Sequence, residues 1–146
     1  MAIMIYNIIV LSILVALFII SFLDSKTREI SNYMILLLLA LNIALVFFDY
    51  IIFWDKIVTF ICSVIIMSII YYWSERVNKK SIGGGDIKLV AVLSLGMGFY
   101  RTILFVLFYS ILIIIIAIKG VKNKIPMSPL ITISYLISNL IWFFIY

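Results

Sequence analysis

Six apolar runs follow one another along this chain, separated by short segments that carry charge. They cover residues 3–23, 33–48, 57–73, 87–100, 102–118 and 130–146. In lipid such a run hides its backbone polar groups by pairing them inside one helix. The pattern therefore predicts an all-α integral membrane protein, a polytopic bundle of about six transmembrane helices. The chain is 67% hydrophobic and 12% charged, where soluble domains run at roughly half and a quarter. Little is left over for a soluble domain, so residues 1–146 are read as a single transmembrane domain. A bilayer core needs about 20 helical residues. Most runs reach that length by borrowing flanking residues, but the fourth is short, with about 14 residues or ~21 Å of helix. It must be short, tilted or capped by a loop that enters the membrane, and five spans with one re-entrant segment is the rival reading. Its Ser94 and Gly98 would let another helix approach closely.

The loops predict the orientation. Nine of the eleven basic residues, namely Lys26, Arg28, Arg76, Lys79, Lys80, Lys88, Lys119, Lys122 and Lys124, fall on one side, leaving Lys56 and Arg101 on the other. Basic loops stay in the cytoplasm, so both termini are expected outside. The N-terminal run has no basic segment before it and no small-residue cleavage site after it, and is read as a retained helix. The basic residues sit between apolar runs and form no nucleic-acid motif. The chain has no histidine and one cysteine, Cys62. That count excludes a disulfide framework, a Cys/His zinc site, and Ser–His or Cys–His catalysis.

Of the six acidic residues, Asp49, Asp55, Glu29 and Glu75 read as solvated residues at the membrane interface. Asp24 and Asp86 differ. Asp24 closes the first run, Asp86 opens the short fourth one, and the topology puts both at the cytoplasmic face. Ionisable groups at membrane helices are functional candidates by default. The plainer readings are a helix cap for Asp86 and a polar boundary residue for Asp24, although a carboxylate at a helix C-terminus opposes the dipole. Asp86 follows Gly83, Gly84 and Gly85 in SIGGGDIKLV, residues 81–90. The glycines are either a flexible turn or a place where backbone approaches a substrate. A Walker A loop would end in GK[ST], and here GD follows. Asn7, Asn42 and Asn139 are expected to bond neighbouring helices, and Cys62 to be a small packing residue.

GGGD resembles the GxGD motif of intramembrane aspartyl proteases, and the following IKLVAVLSLGMG resembles the helix after that motif in type IV prepilin peptidases. DSKTREISN, from Asp24 to Asn32, is similar to that family's aspartate, five variable residues and an Ile-Pro-Asn-like ending, with Ser31 in place of the proline. IPMSP, residues 125–129, resembles the start of the family's last helix. The likeness is to the small, peptidase-only members such as preflagellin and tight-adherence pilus peptidases. It implies a membrane aspartyl endopeptidase, without N-methyltransferase activity, metal or cofactor. Its substrate would be a pilin-like or preflagellin-like precursor with a short basic leader, cut at the cytoplasmic face of a prokaryotic cell membrane. Asp24 and Asp86 would be catalytic, with Gly83, Gly84, Gly85, Lys88 and Asn32 in support. The helix dipoles assign Asp86, at an N-terminus, as the base and Asp24, at a C-terminus, as the initial acid. Two alternatives remain: a non-enzymatic membrane scaffold, and a proton-coupled transporter using the same aspartates.

Overall fold

Each apolar run is helical, but the helix ends are placed by contacts the runs do not reveal. The structure, a computed structural model, describes residues 2–27, 29–48, 53–77, 84–118 and 126–145. Six helices run through them: α1 (Ala2–Thr27), α2 (Asn32–Phe48), α3 (Phe53–Val77), α4 (Gly84–Met97), α5 (Phe99–Ile118) and α6 (Ser128–Ile145). No strand occurs among the described residues. Two stretches, Met4–Thr27 and Phe53–Tyr72, are long and apolar enough to cross a membrane, and Asn32–Phe48, Phe99–Ile115 and Ser128–Phe144 form shorter apolar helices.

The fourth helix has the expected 14 residues, shifted three positions toward the N-terminus. Gly84 and Gly85 join it, and Gly98 ends it. Gly98 has φ of 73°, a left-handed conformation that glycine adopts without a Cβ clash. Its N–H donates to the Ser94 carbonyl at 3.3 Å. The Asp55 carboxylate accepts from the Phe99 N–H at 2.9 Å, capping α5, and a Cβ on Gly98 would stand 2.7 Å from that same oxygen. Asp55 is thus a helix cap and not simply a solvated residue.

The short helix is an interior element. Leu89 to Met97 are all buried, walled by α2, α3 and α5. Its inward side chains join Ile13, Leu17 and Ile20 of α1, Leu38 and Leu45 of α2, Phe105 of α5 and Ile131 of α6 in one core. Close approaches on α4 are made at two glycines: a Cβ on Gly96 would overlap the Asn42 Oδ1 atom of α2, and one on Gly98, the glycine of the Ser94–Gly98 pair, would meet Asp55 of α3. The asparagines do not bridge helices as expected. Asn42 and Asn139 donate to the carbonyls of Leu38 and Tyr135, four residues back, and Asn7 is exposed. That carbonyl is always in reach within a helix, whereas a partner on another helix requires a matching register.

The outer surface is apolar over most of its area. Leu11, Phe18 and Phe22 of α1, Ile61, Ile65 and Ile69 of α3, and Phe143 and Phe144 of α6 are all exposed. Charged groups gather at the two ends. At the end carrying Asp55, Lys56 is buried and its Nζ donates to the Leu45 carbonyl at 3.5 Å. There Arg101 donates to the Tyr6 hydroxyl at 2.9 Å and lies 4.9 Å over the Trp142 ring, tying α5 to α1 and α6.

Candidate functional site

Asp24 lies in the last turn of α1, three residues before its end, on the face that carries Ile20 four positions earlier. Ile20 belongs to the core, so the same face carries Asp24 inward and leaves it only 6% exposed. A buried carboxylate needs donors. They come from the start of α6: Ser128 donates its hydroxyl at 2.6 Å and its backbone N–H at 3.2 Å, both to Oδ2. Among the described residues Oδ1 accepts no hydrogen bond. Pro129 sits in the first turn of α6, where its missing N–H removes no helical bond, and the N–H of Ser128 is one of the unpaired donors of that turn.

Asp86 is the third residue of α4 and half-buried. Leu89 and Val90, one turn on, belong to the same core as Ile20. The two carboxylates therefore extend one shared core at the same end of the bundle, on inward faces of α1 and α4. The loop between α1 and α2 fastens that end: Ile30 lies 3.0 Å from where a Gly85 Cβ would stand, and Lys88 donates to Asn32 Oδ1 at 3.4 Å. Lys88 is thus held toward α2, and the Asp86 carboxylate is within electrostatic reach of the Tyr109 phenol on α5.

Of the glycines, Gly83 lies outside the described residues. Gly84 is exposed with open space around it, and Gly85 is the position where a side chain would meet Ile30. Neither has a positive φ. The requirement for glycine at residue 85 is thus an internal helix-to-loop contact, and the open side is at residue 84. Glu75 has no described side chain. Sequence reasoning missed Ser128 and Tyr109. The IPMSP segment marked the start of the last helix, but nothing in it signals a bond to a residue 104 positions away.

Asp24 is thus a buried carboxylate held by two donors, and Asp86 a half-buried carboxylate two residues after Gly84, where space is open. The sequence model of the type IV leader peptidase family matches residues 11–118, well over half of the chain and including both aspartates. No curated protein and no solved structure matches it.

Proposed function

The chain belongs to the type IV leader peptidase family, and from that premise we propose that it is an aspartyl endopeptidase of the cytoplasmic membrane. In this reading Asp24 and Asp86 remove the leader from a pilin-like or preflagellin-like precursor. What supports it is the family match over both aspartates, with Asp24 at the end of α1 buried against Ser128 and Asp86 at the start of α4, each about one turn from core residues. All six helices lie in the bilayer, α4 sheltered from lipid by its neighbours. The basic loops face the cytoplasm, both termini lie outside, and the aspartates stand at the cytoplasmic interface.

The hydrogen bonds favour a division of labour opposite to the one expected from the helix dipoles of α1 and α4. Asp24 is at the C-terminus of its own helix but at the N-terminus of α6, where two donors and the positive dipole end stabilise negative charge. In this reading Asp24 is the base and Asp86 the acid. Oδ1 of Asp24 takes a proton from a water, whose oxygen attacks the scissile carbonyl. Asp86 gives its proton to the carbonyl oxygen, forming a tetrahedral diol. Collapse of the diol returns that proton to Asp86, while the proton held by Asp24 passes to the departing amine. Each carboxylate ends as it began.

The bonds to Ser128 also favour a second reading, in which Asp24 is only the cap of α6 in a non-enzymatic scaffold. The test is leader release from a precursor with a basic leader and an apolar helix, using membranes that carry the chain or its Asp86→Asn variant. Release by the native chain and none by Asp86→Asn is expected. Equal release by both would end the protease reading, and no release by the native chain would favour the scaffold.

A further inference from the structure

One stripe of α5 turns inward. Thr102 and Phe105 are buried, and Tyr109, one turn after Phe105, continues the stripe at the spacing that keeps residues on one helical face. Leu107, Ile111 and Ile114, on the other side of the helix, are exposed. The Tyr109 ring packs against the buried core and stacks on Phe105, with centroids 6.1 Å apart and planes 7° from parallel. Phenylalanine would serve that packing equally well, as it does at residue 105. The hydroxyl is the unexplained part: half burying it removes water, and a tyrosine so placed ordinarily finds a hydrogen-bond partner. Among the described residues the Tyr109 hydroxyl makes no hydrogen bond. It is not sealed off either, as the unpartnered oxygens of Asn42 and Thr102 are.

Its depth matches that of one acid. Gly98 folds α5 back along α4. From that turn Asp86 lies twelve residues back along α4, and Tyr109 eleven residues on along α5. At ~1.5 Å per residue the two stand ~16–18 Å from the turn, within one residue's rise of each other. They are in electrostatic reach of one another. The other donors near this end are engaged: Ser128 bonds Asp24, and Lys88 bonds Asn32.

We propose that Tyr109 is a third catalytic residue, whose O–H donates a hydrogen bond to the scissile carbonyl oxygen beside Asp86. The inference rests on the protease reading and adds a residue to the site that reading names. When water attacks, its oxygen forms a bond to the carbonyl carbon, and the π electrons of the carbonyl move onto its oxygen. Asp86 delivers a proton to that oxygen. Tyr109 keeps its own proton and shares it as a hydrogen bond that strengthens as charge develops. A donor fixed in advance by the packing of its ring stabilises the transition state more than the ground state.

The test is Tyr109→Phe in the full chain, reconstituted in liposomes with a synthetic precursor: a lysine-rich leader ending in glycine, then an apolar helix. The variant keeps the ring and its stack on Phe105 and loses one oxygen. Per folded molecule, kcat should fall at least about tenfold, toward the ~10²–10³ typical of losing one donor to a developing oxyanion, with KM near native. Ser110→Ala, the next residue and exposed, should cleave at the native rate. Two uncleavable analogues separate chemistry from packing. A phosphinate precursor carries tetrahedral, anionic oxygens where the carbonyl stood, and a reduced-amide precursor has no oxygen there. Tyr109→Phe should bind the phosphinate at least about tenfold more weakly than the native chain and the reduced amide equally well. A smaller fall in kcat overturns the proposal. Equal effects on the two analogues also overturn it, because they make Tyr109 a packing residue. Cleavage by the native chain with Tyr109→Phe unimpaired rejects the tyrosine alone. No cleavage by the native chain rejects the protease reading and this role with it.

Discussion

Asp24 and Asp55 stand at opposite ends of the bundle, and each accepts a hydrogen bond from the start of a helix it does not belong to. Asp55 caps α5 at Phe99, while Asp24 caps α6 at Ser128. What differs is the surroundings. The Asp55 end is fastened: Gly98 leaves no room for a side chain, Lys56 is buried, and Arg101 ties three helices together. At the Asp24 end Asp86 stands one turn beyond the same core, Asp24 Oδ1 accepts no hydrogen bond among the described residues, and open space surrounds Gly84. A cap alone does not distinguish structure from chemistry. The proposed chemistry is placed at the end where a second acid and open space accompany the buried carboxylate.

The largest contrast lies in the carboxylates themselves. Asp24→Asn and Asp86→Asn are nearly isosteric, and each should lower leader release by about a thousandfold or more, because the pair acts as a unit. For the same reason the double variant should be scarcely slower than either single one. Asp55→Asn should process the precursor at close to the native rate, since Asn caps about as well as Asp. A crippled Asp55→Asn enzyme in a leader-release assay would erase the distinction between the ends.

The glycines at the active end come next. Gly85→Val drives a branched side chain into Ile30, an overpacking that typically costs ~1–3 kcal/mol. It should lower activity at least about tenfold and loosen the end of α4. Gly84→Ala meets open space and should leave the rate unchanged while adding ~0.5–1 kcal/mol to helix stability. Thermal melts in detergent alongside the cleavage assay check both, and equal sensitivity at the two positions would mean that the Ile30 contact is not what requires glycine.

Ser128→Ala removes the shorter of the two bonds to Asp24 and keeps the backbone donor. Hydrogen bonds to charged groups contribute about 1.5–3 kcal/mol, so kcat should fall about tenfold or more with KM unchanged, and Ser128→Thr should restore most of it. An unchanged kcat would leave the proposed role of Asp24 as base without its support. Smallest of all, Asp55→Ala should cost ~1 kcal/mol of stability as a lost cap with kcat per folded molecule unaltered.

The sequence by itself determined the number of helices and their order. Apolar side chains cannot pair backbone N–H and C=O groups, and a helix pairs them within one segment, so each apolar run formed a helix, and the spacing of the charged breaks separated them. It also marked both aspartates, because an acid among so few charges is conspicuous. The tertiary structure decided the rest. Gly98 ends α4 because Asp55, on another helix, occupies the space where a side chain would go. The 14-residue helix is accommodated because α2, α3 and α5 enclose it. Cys62, read as a packing residue, is exposed in a groove where α3 and α5 part, and no local pattern records where two helices separate. The hydrogen bonds that hold Asp24 come from a residue 104 positions away. A carboxylate's ionisation is set by the field of the atoms around it, and in a folded chain most of those atoms come from elsewhere in the sequence.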